Sequence, residues 1–455
     1  MTTPSRAGQV RDDGRRFMTA SRPRSPDAHL LDRDGAAHLF ITDGSRLFDL
    51  DHELAAAFRE ALAADAVAPL LARIGVLDTP YIDDTPLSEP PLHALSLAVA
   101  QKCNLGCTYC YAQQGEFGGP ARSMALAQAL AAVDLLVDGA APGSRLNLAF
   151  LGGEPLVNRA VLQAATLHAV DRAARRGVQM GFSVTTNGTL LTEADGDFFE
   201  EHGFAVTVSL DGPREVHDLQ RPTKGGRGSF DRIMTNVAPL LARQRRMQVT
   251  ARVTVTPLNL GLRDTLDQFV DAGFHSVGFS PMLSAPTGRG ELQHDDLELM
   301  LGEMIDCGRE YERRLLRGER YPFANMVNAM REISRGTHRP YPCGAGAGYL
   351  GVSADGDLSA CHRFVGDDAG AMGSVQDGID RSRQAAWLAD RHVHRQSPCS
   401  GCWARYLCGG GCHHEVIARG RPACDYIRGW LHYCLGAYLR LQPSGPGMPA
   451  EGARG

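Results

Sequence analysis

No stretch of this 455-residue chain reaches the roughly 18 consecutive apolar residues of a bilayer-spanning helix. The segment Met1–Arg24 contains Arg and Asp but lacks the apolar run of a signal peptide, so the expected location is cytoplasmic. A basic field is missing too: 47 Lys and Arg stand against 52 Asp and Glu, for a formal net charge of −5, which argues against a nucleic-acid partner. Cysteine, by contrast, is plentiful. The chain has twelve, and in a reducing compartment thiols in such number hold metal rather than form disulfides. Eleven fall in two groups, Cys103 to Cys110 and Cys343 to Cys434. Only Cys307 stands apart, in a helical run where a core role is expected.

A hydrophobic content of 43% suffices for one large core with smaller appendages. Residues 1–30, rich in Arg, Pro, Ser and Asp, read as a disordered tail. Residues 31–90 read as a small module: two short strands in HLFITDGSRLFDLD, a helical stretch from Asp51 to Val76, then a Pro- and Asp-containing linker. From residue 91 to 320, six apolar runs (ALSLAVAQ, RLNLAFLG, MGFSVTT, FAVTVSL, VTARVTVT, SVGFSP) alternate with helical periodicity. This is the pattern of an α/β fold whose parallel sheet curls into a partial or full barrel, with chemistry at the C-terminal strand ends. Residues 321–443 are Gly- and Cys-rich, as suits a small domain organised by metal. Residues 444–455 read as a loose tail.

The first apolar run ends in QKCNLGCTYCYAQQGEFGG, where Cys103, Cys107 and Cys110 form C-x3-C-x2-C. No fourth Cys or His lies between Gln101 and Arg122, so a closed zinc site fits poorly, whereas three thiolates on a four-iron cluster leave one iron open to a ligand. This triplet, with LGGEPL at the end of the second run, resembles the radical S-adenosylmethionine superfamily over roughly Leu95 to Pro281. The resemblance implies a partial (βα)6 TIM-like barrel, a radical-generating [4Fe–4S] cluster on the three cysteines, and S-adenosylmethionine on its open iron. It further implies a cofactor site made by Tyr109 near the adenine, Gly152, Gly153 and Glu154 at the methionine amino group, Asn187 and Ser209 at later strand ends, and Arg252 facing the methionine carboxylate. For Tyr109, a plain core tyrosine is the alternative; for the later strand-end residues it is a polar group satisfying local backbone.

Downstream, Cys343 and Cys361 precede PCSGCWARYLCGGGC, with Cys399, Cys402, Cys408 and Cys412, and then Cys424 and Cys434. Zinc ribbons also use C-x2-C, but the full arrangement resembles the SPASM domain. That resemblance implies two auxiliary [4Fe–4S] clusters, an outer one on Cys399, Cys402, Cys408 and Cys424 and an inner one on Cys343, Cys361 and Cys412. The extra early cysteine of other members has no counterpart between Gly344 and Ala360, so the inner cluster has an open iron unless Cys434 fills it.

The function so implied is a peptide or protein maturase that abstracts a substrate hydrogen atom. A second electron must then leave, and auxiliary clusters can accept it. Short motifs around CYAQQGEFGGPARSM, CHRFVGD and CWARYLCGGGCHHE resemble the ranthipeptide maturases and the maturase of the quinohemoprotein amine dehydrogenase small subunit, so a Cys thioether is the expected product. The alternatives are a sulfatase-type maturase making formylglycine and a non-catalytic iron–sulfur relay. Asp355, Asp357 and His413 are the candidate acid–base residues, with His414 and His362 as further acid–base or redox-tuning groups, for all of which a surface or supporting role is the alternative. Expected partners are a ribosomally made peptide or small protein and an electron donor such as flavodoxin or ferredoxin, with neither nucleic acid nor membrane. The N-terminal module is a candidate peptide-recognition element working by strand addition.

Overall fold

The computed structural model describes residues 27–33, 35–76, 81–86 and 88–442. Most of the two expected tails lies outside these residues, but one boundary shifts: Ala28–Leu30 belong to a strand rather than to the tail. The N-terminal module is an antiparallel sheet of β1 (Ala28–Arg33), β2 (Ala36–Ile41) and β3 (Arg46–Leu50), followed by α1 (His52–Ala63) and α2 (Ala68–Arg73). β1 shows no clean alternation because the sheet is covered on both faces. Ala28, Leu39 and Ile41 pack on Phe58 and Leu71 in a small core, while Leu31 and Phe40 join the main one. The single helical stretch expected here is two helices. Asp51 caps the first by accepting from the Leu54 amide at 2.7 Å, the chain turns at Asp65 with φ +53°, and Pro69 opens the second.

All six apolar runs are strands. The order of elements is β4 (Ala94–Gln101), the two-residue β5 (Arg122–Ser123), α3 (Leu126–Asp138), β6 (Arg145–Gly152), α4 (Arg159–Arg176), β7 (Gln179–Thr186), α5 (Glu193–His202), β8 (Ala205–Ser209), α6 (Arg214–Gln220), α7 (Phe230–Arg243), β9 (Gln248–Val255), α8 (Leu262–Asp271) and β10 (Ser276–Pro281). The strands lie in the order β10-β9-β8-β7-β6-β4, every neighbouring pair parallel, which makes the expected partial (βα)6 barrel. Alternation along β9 shows how it is filled. Val249, Ala251, Val253 and Val255 are buried, while Thr250, Arg252 and Thr254 are not. The inner layer running through Thr185, Thr207 and Thr250 is short and polar, so the barrel keeps room inside where a closed barrel is packed with branched apolar side chains.

After β10 come α9 (His294–Leu316), α10 (Ala324–Ser334), β11 (Tyr349–Val352), β12 (Asp357–Ser359), β13 (Ala371–Ser374), β14 (Gly378–Ile379), α11 (Arg381–Arg391), α12 (Arg405–Cys408), α13 (His413–Arg419) and α14 (Cys424–Leu441). β11 pairs in parallel with β4, so the barrel sheet continues into the Cys-rich region and the β4 edge is covered. α14 is held on α9 by the Glu312 carboxylate, which accepts from Arg440 at 2.5 Å and from the Tyr433 hydroxyl. Among the described residues, no helix is long and apolar enough to cross a membrane.

Candidate active site

The loop after β4 carries its three thiols into one place. Their mutual repulsion acts together with burial, the larger effect, which pushes the Cys107 thiol up to about 12 and raises Cys103 as well. The loop is held by the segment after α6. The Gly106 amide donates to Pro222 at 2.8 Å, the Thr108 amide donates to Gln220 at 3.0 Å, and Leu105 bridges Thr223. A glycine contact sets its distance from β6. Gly152, at φ +140°, would place a Cβ 2.3 Å from the Ala100 carbonyl oxygen, and Gly153 would place one 2.4 Å from that of Lys102. No side chain fits at either position, which is why the second strand ends in two glycines.

Glu154 differs from expectation. It is fully buried, and its carboxylate accepts from the Leu156 amide (3.1 Å), the Thr186 hydroxyl (2.7 Å) and the Asn187 amide (2.7 Å). It cross-braces β6 to β7 rather than lining the cavity in front of the thiols. Burial raises its pKa to about 7 against those three donors. Asn187, positioned by this brace, donates to the Asn104 side chain at 2.9 Å and to Cys103 Sγ at 3.6 Å.

A second buried network lies on the opposite side. Asp211, fully enclosed at the end of β8, accepts from Arg221 Nε (2.8 Å), the Thr254 amide (3.1 Å) and the Tyr109 hydroxyl. The Arg221 guanidinium lies 5.4 Å from the Tyr109 ring centroid and reaches Cys107 Sγ at 4.0 Å. Tyr109 does line the cavity, but its hydroxyl is committed to Asp211. Nothing in the sequence marks Arg221, which arrives only because the chain beyond α6 folds back over the cysteine loop.

Together these elements enclose a cavity of about 240 Å³ lined by the three cysteines, Tyr109, Gly152, Gly153, Asn187 and Ser209, as expected, and also by Arg221 and His362. Arg252 does not line it; it projects into the barrel interior two residues before Thr254, which does, and its guanidinium bonds Ser280. The donor set suits an iron–sulfur cluster with an open position: three soft thiols, and a glycine-walled space beside them.

The C-terminal thiols fall into two sets that meet at Cys412. A cavity of about 290 Å³ is lined by Cys399, Cys402, Cys408, Cys412 and Cys424. Within it burial, followed by the nearby Cys408, Cys424 and Cys402, pushes Cys399 up to about 12. Cys343, Cys361 and Cys412 form the other set, each of the first two repelled by the third; Cys361 is pushed up to about 12, by burial first. Cys434 joins neither. It is buried in α14 between Glu312 and Tyr426, on the face of the helix that packs on α9, so it is a core residue and not a vacancy-filling ligand. Cys307 is a core residue as expected.

None of the three acid–base candidates reaches the first cavity. Asp355 pairs with Arg122 and Asp357 accepts from the Ser353 hydroxyl at 3.0 Å; both are exposed. His413 is buried edge-on against Trp387, with centroids 5.4 Å apart. The histidine that does face the cavity is His362, next to Cys361. Its Nδ1 is 2.8 Å from the Tyr349 hydroxyl, itself 2.8 Å from Ser96 Oγ.

Comparison with known proteins agrees with this geometry. Residues 97–269 match the family model of the Radical SAM superfamily. The serine-type anaerobic sulfatase-maturating enzyme of Klebsiella aerogenes is 27% identical over 345 residues, covering 74% of this chain and 83% of that protein. The cysteine-type enzyme of Clostridium novyi is 25% identical over 341 residues, covering 71% and 88%. In fold, the chain is similar to native anSMEcpe with bound AdoMet at a TM-score of 0.64 and 19% identity, over 77% of this chain and 99% of that one. It is also similar to Streptococcus suis SuiB at 0.51 and 16%, over 88% and 98%. With its cysteine loop, glycine walls and open barrel in this arrangement, the chain carries a radical SAM domain and is a radical S-adenosylmethionine enzyme.

Proposed function

We propose that this enzyme oxidatively modifies a side chain of a peptide or small protein, with a Cys thioether crosslink as its product. The observation that carries the reading is the placement of three thiol sets. One opens on the cavity with the glycine walls; the other two lie in the region joined to β4 through β11. Cys103, Cys107 and Cys110 would hold the radical-generating cluster, with S-adenosylmethionine lying along Gly152, Gly153 and Ser209. Cys399, Cys402, Cys408 and Cys424 would hold an outer auxiliary cluster, and Cys343, Cys361 and Cys412 an inner one. Bound there, these groups supply a 5′-deoxyadenosyl radical for hydrogen abstraction and acceptors for the second electron.

The chain's own residues do the rest. The Asp211–Arg221–Tyr109 network keeps Cys107 and the cavity wall in place and shuts out water on that side. His362, its ring fixed by Tyr349 and Ser96, is placed to take the proton that leaves the substrate. The inner set has three thiols, and no fourth was found beside them among the described residues. A cluster held by these three would leave a position at which a substrate thiol would lose its proton more readily. Among the described residues β3 pairs only with β2, and its other edge would serve strand addition by the same peptide. An electron donor such as flavodoxin or ferredoxin would reduce the first cluster.

A second reading, formylglycine formation, is favoured by one specific observation: the curated relatives include both serine-type and cysteine-type sulfatase-maturating enzymes. The test uses anaerobically reconstituted protein with S-adenosylmethionine, dithionite and Cys-containing peptides. About twelve irons per chain, with 5′-deoxyadenosine lost on Cys103→Ala, establishes the radical site. A product two hydrogens lighter that retains sulfur and ignores hydrazines establishes the thioether. A hydrazine-reactive product establishes the aldehyde and overturns the crosslink. Iron-loaded protein that makes no deoxyadenosine overturns both.

A further inference from the structure

The five residues between Cys402 and Cys408 form the seat of the N-terminal module. The Trp403 ring stacks on that of His29, centroids 3.8 Å apart and planes within 6°, and meets Phe40 edge-on at 5.9 Å. The Trp403 carbonyl accepts from the Thr42 hydroxyl at 3.0 Å. Arg405 pairs with Asp27 at 2.9 Å. Tyr406 stacks on His338, centroids 3.5 Å apart, and His338 Nδ1 accepts from the Gly44 amide at 3.2 Å. β1, β2 and the turn after them are thus all fastened to a segment whose two ends are outer-set cysteines.

The linker reaches the same place through Asp84. Its Oδ2 lies 3.4 Å from His338 Nε2 and 3.6 Å from the Nε2 atoms of His392 and His394. The grouping has the make-up of a metal site, but hydrogen bonding points another way. His392 Nδ1 accepts from the His394 amide at 3.2 Å, as His338 Nδ1 does from Gly44. Both rings therefore carry the proton on Nε2 and present it to Asp84: His392 Nε2 donates to the Asp84 carbonyl at 3.1 Å. Asp84 is a carboxylate held by donors, a second fastening of the same module beside the same segment.

We infer that occupancy of the outer thiol set and docking of the N-terminal module are coupled through the Cys402–Cys408 segment. The inference rests on the assignment of Cys399, Cys402, Cys408 and Cys424 as one cluster's ligands. A cluster on those thiols pins both ends of the segment and so fixes the direction in which Trp403, Arg405 and Tyr406 face the sheet. Without it, the segment is free to rearrange and its share of the seat is lost, leaving the His29–His432 bond (2.9 Å) and the Ser45 hydroxyl on the Thr337 carbonyl to hold the module less firmly. Linkage makes the effect reciprocal: whatever displaces the module, including a peptide strand added to β3, loosens the outer cluster.

Hydrogen exchange by mass spectrometry on the full, iron-loaded chain tests this, with iron quantified on the same samples. Cys424→Ala removes an outer ligand from outside the Cys402–Cys408 segment; because Cys424 opens α14, whose His432 bonds His29 at 2.9 Å, iron-stripped wild type is needed beside it to separate a path through the cluster from one along α14. The expected result is a loss of about four irons together with exchange at Leu39, Phe40 and Ile41 faster by about fivefold or more, while Val206 and Val208 in β8 keep their protection. Wild-type protein stripped of iron by a chelator should show the same acceleration, which separates the effect from misfolding of the variant. In the reverse direction, His29→Leu should speed iron release to a chelator without affecting the barrel amides. Loss of four irons with unchanged exchange in β2 overturns the coupling and leaves the ligand assignment standing. Full iron retention in Cys424→Ala overturns that assignment, and the coupling with it.

Discussion

Replacing Arg221 with Met tests whether the buried pair beside Cys107 is structural in the way its geometry requires. Asp211 has no exposure, and among the described residues Arg221 is its one cationic partner; the other donors to its carboxylate, the Thr254 amide and the Tyr109 hydroxyl, are neutral. Arg221→Met keeps the length and packing of the side chain and strands the carboxylate. Removing one partner of such a pair costs about 3–5 kcal/mol. Asp211→Asn made on top of it removes the stranded charge and can keep the Thr254 bond, so the double variant should recover at least about 2 kcal/mol relative to additivity. Urea unfolding of the cluster-free proteins, followed by far-UV circular dichroism, measures both quantities. A cost below about 1 kcal/mol for Arg221→Met, additive with Asp211→Asn, would refute the argument, because it would mean that water or another cation reaches Asp211. The same substitution should weaken iron binding at the first site, since Arg221 is also the cation nearest Cys107.

Further outcomes follow from other parts of the site. Glu154, raised by burial to about 7 from 4.5, is protonated more readily in the folded state; the stability this contributes is complete below pH 4.5 and is lost as pH rises through 7. Cluster-free wild type should therefore lose up to about 3 kcal/mol relative to Glu154→Gln between pH 4.5 and 8, and parallel pH profiles for the two proteins would contradict it. Asp355→Asn and Asp357→Asn should leave product formation within about twofold, as expected of surface substitutions, whereas His362→Ala should cut it by about a hundredfold or more while deoxyadenosine formation persists. Cys434→Ala should leave the iron content unchanged and lower stability by about 1–3 kcal/mol; the loss of even one iron would return Cys434 to the ligands.

The sequence by itself determined the class of chemistry, because local spacing carries that information. Three thiols within eight residues, following a mostly apolar run, fit disulfides and a closed zinc site poorly, and the two glycines before Glu154 permit a backbone to pass too closely for a Cβ. Strand positions were legible for the same reason: burial on two faces writes itself as an unbroken run in β4, and burial on one face as alternation in β9. Tertiary structure decided everything that depends on which distant segments meet. Glu154 turned into a brace because the end of β7 supplies two donors to it, Thr186 and Asn187, beside the local Leu156 amide, and Arg221 entered the site because the chain after α6 folds over the cysteine loop. Asp355 and Asp357 left it because they are exposed and tied to Arg122 and Ser353, while His362 took the place at the cavity. Cys434 has the spacing of a ligand, but the direction of a side chain on α14 is set by its packing on α9, the helix that carries the core residue Cys307, and neither C-terminal thiol set includes it. Spacing along a chain specifies what neighbouring atoms can bind; only the packing of remote elements fixes which way each of them faces.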